Sequence, residues 1–463
     1  MTGILQVVQA FDRKPFAEVP VDGATALEAK FGAAARAFAD RDGWLKPWQR
    51  VAVLTRVAAL LEQRQAHFAK LIAQEGGKPL TDATVEVIRA TDGLRNAAEE
   101  IRNFAGREIP MGLTPASDGR WAFTTKEPIG IVAAISAFNH PLNLIVHQVA
   151  PAVAVGCPVI VKPAAATPLS CLGLVALFHE AGLPEAWCQS FITEDNALAE
   201  RLATDPRTAF LSFIGSAKVG WYLRSKLPPG TRCALEHGGA APVIVDRSAR
   251  LDRIIETIVK GGYYHAGQVC VSVQRIFVHA DILPDFTERF AARVAALRTG
   301  DPLLAETEVG PLILPREADR VATWIDEAVA AGARQIGGGR ISATTLTPAV
   351  LVEPPSDAKV STLEVFGPVT CLYGYREIDA AIGIANSLPY AFQASVFSAD
   401  IGSALQAAQR LDAATVLVND HTAFRTDWMP FAGRHRSGYG VGGIPWTMAE
   451  MAEDKMIVLR QEM

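Results

Sequence analysis

Two side chains in the stretch from Thr231 to Arg275 have types and surroundings suited to joint chemistry, the carboxylate of Glu236 and the thiol of Cys270. Glu236 stands between the apolar run Cys233-Ala234-Leu235 and the pair Gly238-Gly239, which predicts the end of a buried strand at a sharp backbone turn. Partial desolvation there raises a carboxylate's pKa toward the range in which it takes a proton near neutral pH. Cys270 follows Gly267-Gln268-Val269 and precedes the alternating run Val271 to Val278, so the thiol sits in a loop just before a strand. A loop thiol can meet a substrate; a core thiol cannot. The other cysteines, Cys157, Cys171, Cys188, Cys233 and Cys371, lie far apart and show no CxxC or Cys/His ligand spacing. They read as small buried apolar residues, with no metal site and no disulfide framework.

Elements able to position such a pair are visible along the chain. Apolar residues at helical spacing from residue 47 to 76 (Val51, Leu54, Val57, Leu60, Leu61, Phe68, Leu71, Ile72), closed by Gly76-Gly77-Lys78-Pro79, predict one long amphipathic helix. A second runs from about Asp82 to Phe104. From Glu127 the pattern alternates: strand Gly130 to Ala137, a helix from Pro141, strand Pro158 to Lys162, a helix from Pro168, then strands Cys188 to Thr193 and Ala209 to Phe213. It restarts after Gly238 with strand Pro242 to Asp246, a helix from Leu251, strand Gln274 to Ala280 and a helix from Ile282 to Arg298. Strands Thr370 to Tyr375, Ala394 to Ser398 and Thr415 to Asp420 follow. Such alternation implies right-handed crossovers and parallel sheets. The fold class is therefore α/β, with two successive doubly wound lobes meeting near Gly238-Gly239. Gly119 to Lys126 reads as an exposed hairpin, and Lys455 to Leu459 as a last strand.

A chain of 463 residues with 49% apolar and only 20% charged residues has material for two or three cores. Its net charge of −5 gives no basic face for nucleic acid. Gly and Pro interrupt the apolar segments before they reach the ~20 residues that span a bilayer, and the first residues lack a signal-peptide pattern. A cytoplasmic location is expected.

LEHGG at 235 to 239 and GQVC at 267 to 270, with Glu236 and Cys270 separated by 34 positions, resemble the paired signatures of the aldehyde dehydrogenase superfamily. FNHP at 138 to 141, KPAAATP at 162 to 168, FIGS at 213 to 216, EVFGPV at 364 to 369 and FAGRHRSGYG at 431 to 440 extend the resemblance over nearly the whole chain. HAGQVCVSVQR and FRTDWMPFAG are most similar to its lactaldehyde, glycolaldehyde and phosphonoacetaldehyde type. The resemblance implies a Rossmann-like dinucleotide-binding domain over 1–110 and 129–237 and a catalytic domain over 238–425. It also implies a β arm over 111–128 and 450–463 that pairs subunits into a homodimer or homotetramer.

The usual GxGxxG fingerprint is absent, so the resemblance supplies the cofactor positions: Phe138, Lys162, Gly215, Ser216, Glu364 and Phe366. Taken alone, Lys162 reads as a solvated strand-end lysine and Ser216 as a helix N-cap. With the resemblance, Lys162 meets the adenosine ribose, Gly215-Ser216 opens a helix toward the pyrophosphate, Glu364 accepts from the nicotinamide ribose and Phe366 packs beside the ring. Ala165 stands where NAD-preferring members carry a glutamate, which relaxes the choice between NAD and NADP toward NADP. The implied chemistry is attack of Cys270 on an aldehyde, an oxyanion held by the Asn139 amide and the Cys270 N–H, hydride loss to the cofactor, and release of the thioester by water that Glu236 activates.

Arg95, His147, His421 and Arg425 fall in segments that line the superfamily's substrate tunnel, which suits a small hydroxylated or anionic aldehyde. Val269 brings no charge and disfavours a doubly anionic one. Arg95 and Arg425 also read as salt-bridge partners of Glu99 and Asp427. Phe138, His140, His237, Ala240 and His265 depart from the superfamily's usual residues without removing a catalytic group. Two rival readings remain: a thiol esterase without redox chemistry, and a scaffold that has lost activity.

Overall fold

In the computed structural model, which describes residues 3–460, the strands sort into two large sheets and three small ones. The first large sheet runs Cys188–Ser190, Val159–Lys162, Ile131–Ile135, Thr208–Ile214, Arg232–Glu236, all parallel, with Gly438–Tyr439 antiparallel at its edge. Chain order reverses between Ile131–Ile135 and Thr208–Ile214. A crevice opens at such a reversal beyond the strands' C-terminal ends, where ligands of doubly wound folds bind. Phe138 and Asn139 lie just past one of these ends, Gly215 and Ser216 past the other. The second sheet repeats the arrangement with Val369–Tyr375, Val273–His279, Ala241–Val245, Gln393–Phe397 and Thr415–Val418. Ala349–Val352 extends it in parallel and Arg334–Gly337 closes it antiparallel.

Each sheet is hydrophobic on both faces because helices cover both. Val132, Val159 and Val161 meet Leu54, Val57, Leu94, Ile145 and Phe178 in one core. Val243, Ile276 and Leu351 meet Ile258, Phe286 and Ile325 in the other. Every such side chain taken fully from water stabilises the fold by about 1.5–3 kcal/mol, so the sheets are rigid platforms for their loops.

The predicted helix over 47–76 is two helices, Pro47–Gln63 and Gln65–Gly76. Arg64 between them leaves helical geometry at φ −104° and ψ 17°, and its guanidinium pairs with Glu180 at 2.7 Å. A one-residue break leaves the apolar period intact on both sides, so the pattern does not register it. The stop is where the glycines put it, with Gly77 left-handed at φ 73°. The second helix is Leu80–Glu100. The expected hairpin at Gly119 to Lys126 is instead a single strand, Arg120–Pro128, paired antiparallel over its whole length with Ala452–Arg460. Glu108–Ile109 supplies its short second neighbour. Trp121, Met456, Val458 and Leu459 stand exposed on this arm. The N-terminal hairpin of Ile4–Val8 with Pro15–Pro20, and the helix Ala24–Ala39, were not foreseen. Among the described residues no helix is long and apolar enough to cross a membrane, and no cluster of metal-ligating side chains occurs. The five cysteines read as core residues are buried, and Cys270 is half-buried.

Candidate active site

The loop that presents Cys270 is bent by three consecutive left-handed residues, His265 at φ 48°, Ala266 at 55° and Gly267 at 70°. Only the last is relaxed there. A Cβ on Gly267 would also sit 2.1 Å from the Gly367 carbonyl oxygen, so this position requires glycine. Strain at His265 and Ala266 persists because the loop is pinned elsewhere. The Gln268 side chain accepts from Ile313 N and donates to the Pro311 carbonyl, and Thr422 Oγ1 donates to the Val271 carbonyl at 2.6 Å. Asn139 Nδ2 donates to the Gln268 carbonyl at 2.9 Å. That bond uses one amide hydrogen and ties the asparagine to the cysteine loop. Asn139 is thus no helix cap, because the helix beyond it starts at Asn143 without side-chain capping.

Cys270, Glu236 and Asn139 line one cavity of about 1110 Å³. Glu236 ends the strand Arg232–Glu236 as its sequence context predicts, and Gly442 makes room for it: a Cβ there would lie 2.0 Å from Glu236 Oε1. Burial raises the Glu236 pKa above the ordinary carboxylate value, and the Arg425 charge opposes that rise. Burial, then the Glu236 and Glu364 charges, push the Cys270 thiol up to about 12, against the pull of Arg425. Among the protein's own groups the thiol is therefore held protonated beside a carboxylate of raised basicity. That is an arrangement for transferring the proton to the carboxylate as the sulfur attacks.

Phe138, Gly215, Ser216, Glu364 and Phe366 line the same cavity. Ser216 precedes the helix Ala217–Arg224 but its hydroxyl is not spent on a cap, which leaves oxygen and helix amides free for an anion. Glu364 Oε1 is sealed from solvent without a partner among the described residues, and its carboxyl is pushed up to about 8 by burial. A Cβ on Gly238 would meet that oxygen at 1.6 Å. Phe366 is left-handed at φ 47°, its ring edge-on to Phe138 at 5.8 Å. An orphaned acceptor, an unspent helix terminus and two aromatic walls fit a dinucleotide carrying hydroxyls and a flat ring. Lys162 does not line this cavity; at the end of its strand it donates to the Pro163 carbonyl at 3.3 Å.

The four expected substrate residues divide. His421 and Arg425 line the cavity; Arg95 and His147 do not. Arg95 points outward and pairs with Glu62 at 2.7 Å and Asp92 at 3.3 Å, not with Glu99. His147 lies buried behind the wall, its Nε2 2.7 Å from Asp427 and its Nδ1 3.2 Å from Arg425 Nη2. Burial and then Arg425 hold its pKa down at about 4, so the ring is neutral, donating from Nε2 to Asp427 and accepting from Arg425 at Nδ1. Arg425 therefore reaches Asp427 through His147. Its guanidinium lies 3.6 Å over the Phe431 ring, and its buried Nε has no partner among the described residues.

Arg89, which the sequence reading passed over, lines the cavity and binds Asp427 with Nη2 at 2.7 Å and Nε at 3.3 Å. Asp427 also accepts from Asn143. Burial pushes this carboxyl up, but the His147 bond and the Arg89 and Arg425 charges overcome that and hold it well below the usual range. Lys260 and Asp82, also in the wall, neutralise each other at 2.6 Å. Arg89 pairs with Asp427, while Arg425 faces both the Glu236 and the Asp427 charges.

A family model described as the aldehyde dehydrogenase family matches residues 2–457. The chain is similar to 3-sulfolactaldehyde dehydrogenase of Priestia aryabhattai, 36% identical over 456 residues that cover 98% of this chain and 94% of that one. It is also similar to lactaldehyde dehydrogenase of Methanocaldococcus jannaschii, 34% identical over 415 residues, 89% of this chain and 88% of that one. Among solved structures, aldehyde dehydrogenase 21 from Physcomitrella patens in complex with the reaction product succinate superposes with a TM-score of 0.96 at 34% identity, covering 99% and 95% of the two chains. Glyceraldehyde-3-phosphate dehydrogenase from Methanocaldococcus jannaschii complexed with NADP gives 0.94 at 31%, covering 98% and 99%.

Proposed function

Since the chain belongs to the aldehyde dehydrogenase family, we propose that it oxidises a small aldehyde with an anionic group at its far end to the corresponding acid. Arg425 carries this reading. It is a guanidinium with an unpartnered buried nitrogen, in the same cavity as Cys270 and beside Arg89. A carboxylate or sulfonate placed there gains charge-assisted hydrogen bonds from Arg425 and Arg89 and leaves the carbonyl directed toward the thiol. The named relatives support the choice, one acting on sulfolactaldehyde and one holding succinate.

The steps follow from the placements. Cys270 attacks the carbonyl carbon as Glu236 takes the thiol proton. The second Asn139 amide hydrogen and the Cys270 N–H receive the developing oxyanion. NAD or NADP, when bound, supplies the hydride acceptor that turns the thiohemiacetal into a thioester. Glu236 yields the thiol proton to solvent and then takes a proton from water as that oxygen adds to the thioester carbonyl; the Cys270 thiolate leaves and recovers that proton as the acid is released.

Glu236→Gln is expected to slow the first turnover of cofactor reduction, because the thiol loses its proton acceptor, but to slow steady-state release more, by about 100-fold or more. Because Glu236 works as a carboxylate and its pKa is raised, wild-type turnover falls as pH drops through a value above the ordinary 4.5 and rises as pH climbs past it. The glutamine variant loses that limb. Stopped-flow absorbance of the reduced cofactor with short anionic aldehydes reads both effects; full steady-state turnover by Glu236→Gln removes the assigned role. The esterase reading would give acid from esters and no cofactor reduction in the same assay.

A further inference from the structure

Lys162 ends the strand Val159–Lys162, and Glu194 follows the neighbouring parallel strand Cys188–Ser190, so both leave the sheet at its C-terminal edge. In doubly wound folds an acidic residue at this edge recognises the adenosine ribose. The backbone around Glu194 is tightly held. Phe191 N donates to the Val161 carbonyl, Ile192 exchanges two bonds with Asp22, and Asp195 caps the helix Asn196–Thr204. The Glu194 side chain is exposed and lines a second cavity of about 430 Å³. Phe138, Ala164 and Glu317 line both cavities, which places the second beside the cofactor groups.

The loop 163–168 offers this space only the methyl groups of Ala164, Ala165 and Ala166, with Ala165 tucked against the N-terminal hairpin cluster of Leu5 and Val7. Of the carboxylates in the wall, Glu75 is consumed by Leu169 N, Ser170 N and the Ser170 hydroxyl, and Glu317 pairs with Arg316 and Arg320. Glu194 has no hydrogen-bond or ion-pair partner among the described residues. Lys162 has no carboxylate within salt-bridge distance either, yet the Glu194 charge acts on its ammonium against the effect of burial. Lys162 stands outside the wall of this cavity, whose cations are Arg13, its Nη1 donating to the Ile313 carbonyl, and Arg316.

We propose that Glu194 governs the choice between NAD and NADP, its carboxylate accepting from the adenosine ribose hydroxyls beside Lys162 and repelling a 2′-phosphate, a part that Ala165 cannot take. The carboxylate missing from the loop is thereby supplied from the adjacent strand end. Neutralising it leaves Arg13 and Arg316 in the wall, with Lys162 at the adjacent strand end, to receive a 2′-phosphate without its repulsion. This rests on the reading that Lys162 meets the adenosine ribose.

The test uses the full chain and binding, not turnover. Dissociation constants of NAD and NADP are read from quenching of intrinsic tryptophan fluorescence, with Trp324 in the cavity wall. Glu194→Gln, at an exposed side chain without partners, is expected to move the ratio of the two constants about tenfold or more toward NADP, tightening NADP and loosening NAD. A ratio within about twofold of wild type overturns the assignment. Lys162→Gln is the second arm. If it weakens binding while the Glu194→Gln ratio stays put, Glu194 alone is misassigned; if it weakens neither cofactor, the ribose placement and the role of Glu194 fall together.

Discussion

Replacing Cys270 with alanine will abolish cofactor reduction with every aldehyde, a loss of about 10⁴-fold or more, because no other group in the cavity can form the covalent bond that precedes hydride loss. The remaining cysteines are buried in the cores with their thiols away from the cavity. The variant is expected to bind NAD or NADP as tightly as wild type, since Ser216, Glu364 and Phe366 are untouched. Fluorescence titration of the cofactor beside the rate assay separates the two. Alanine activity within tenfold of wild type would mean the carbonyl is attacked by something other than this sulfur.

The second large effect is at Arg425. Arg425→Met is expected to lower kcat/KM for a short carboxylate- or sulfonate-bearing aldehyde by about 100- to 1,000-fold, as expected when a buried charged hydrogen-bond partner is truncated. An uncharged aldehyde of similar length should lose far less, so the specificity ratio moves by most of that factor. Methionine keeps an apolar stem of similar length but not the guanidinium that lies over Phe431. Lysine keeps charge without the fork and should recover only part of the loss. Because Arg425 opposes the rise of the Glu236 pKa, its removal should also shift the acidic limb of turnover to higher pH. Equal losses for charged and uncharged aldehydes would place Arg425 outside substrate recognition.

Much of this site is legible in the sequence, for reasons that particular residues make plain. The apolar run before Gly238-Gly239 marks a strand end, and Glu236 is at one. Strand ends of the first large sheet are revealed by the alternation, and Gly215, Ser216 and Asn139, just beyond such ends, line the cavity. Arg89 lies mid-helix in Leu80–Glu100, where no motif or strand end marks it. Asp82, Val85 and Arg89 recur at three- and four-residue spacing and share the cavity wall, whereas Arg95, six residues on, is turned away by roughly 240° at about 100° per residue. His147 belongs to Asn143–Val155, a helix buried on every side, where a polar ring must find partners inside the protein. Its partners, Asp427 and Arg425, are some 280 positions away in the chain, and no local pattern reveals them. The left-handed turns at His265, Ala266 and Phe366 are equally silent, since residues with side chains give no sign of positive φ; only Gly267 does. Among the protein's own groups, burial beside two carboxylates raises the Cys270 pKa, which gives Glu236 a part in the attack as well as in release.

The most direct measurement is the mass of Cys270 itself. Glu236→Gln mixed with NAD or NADP and a short anionic aldehyde, quenched in acid after the first turnover and digested, should show the Cys270 peptide heavier by the acyl group, with one reduced cofactor formed per chain. Reduced cofactor formed with an unmodified Cys270 peptide, or an acyl group found on another residue, would contradict the account.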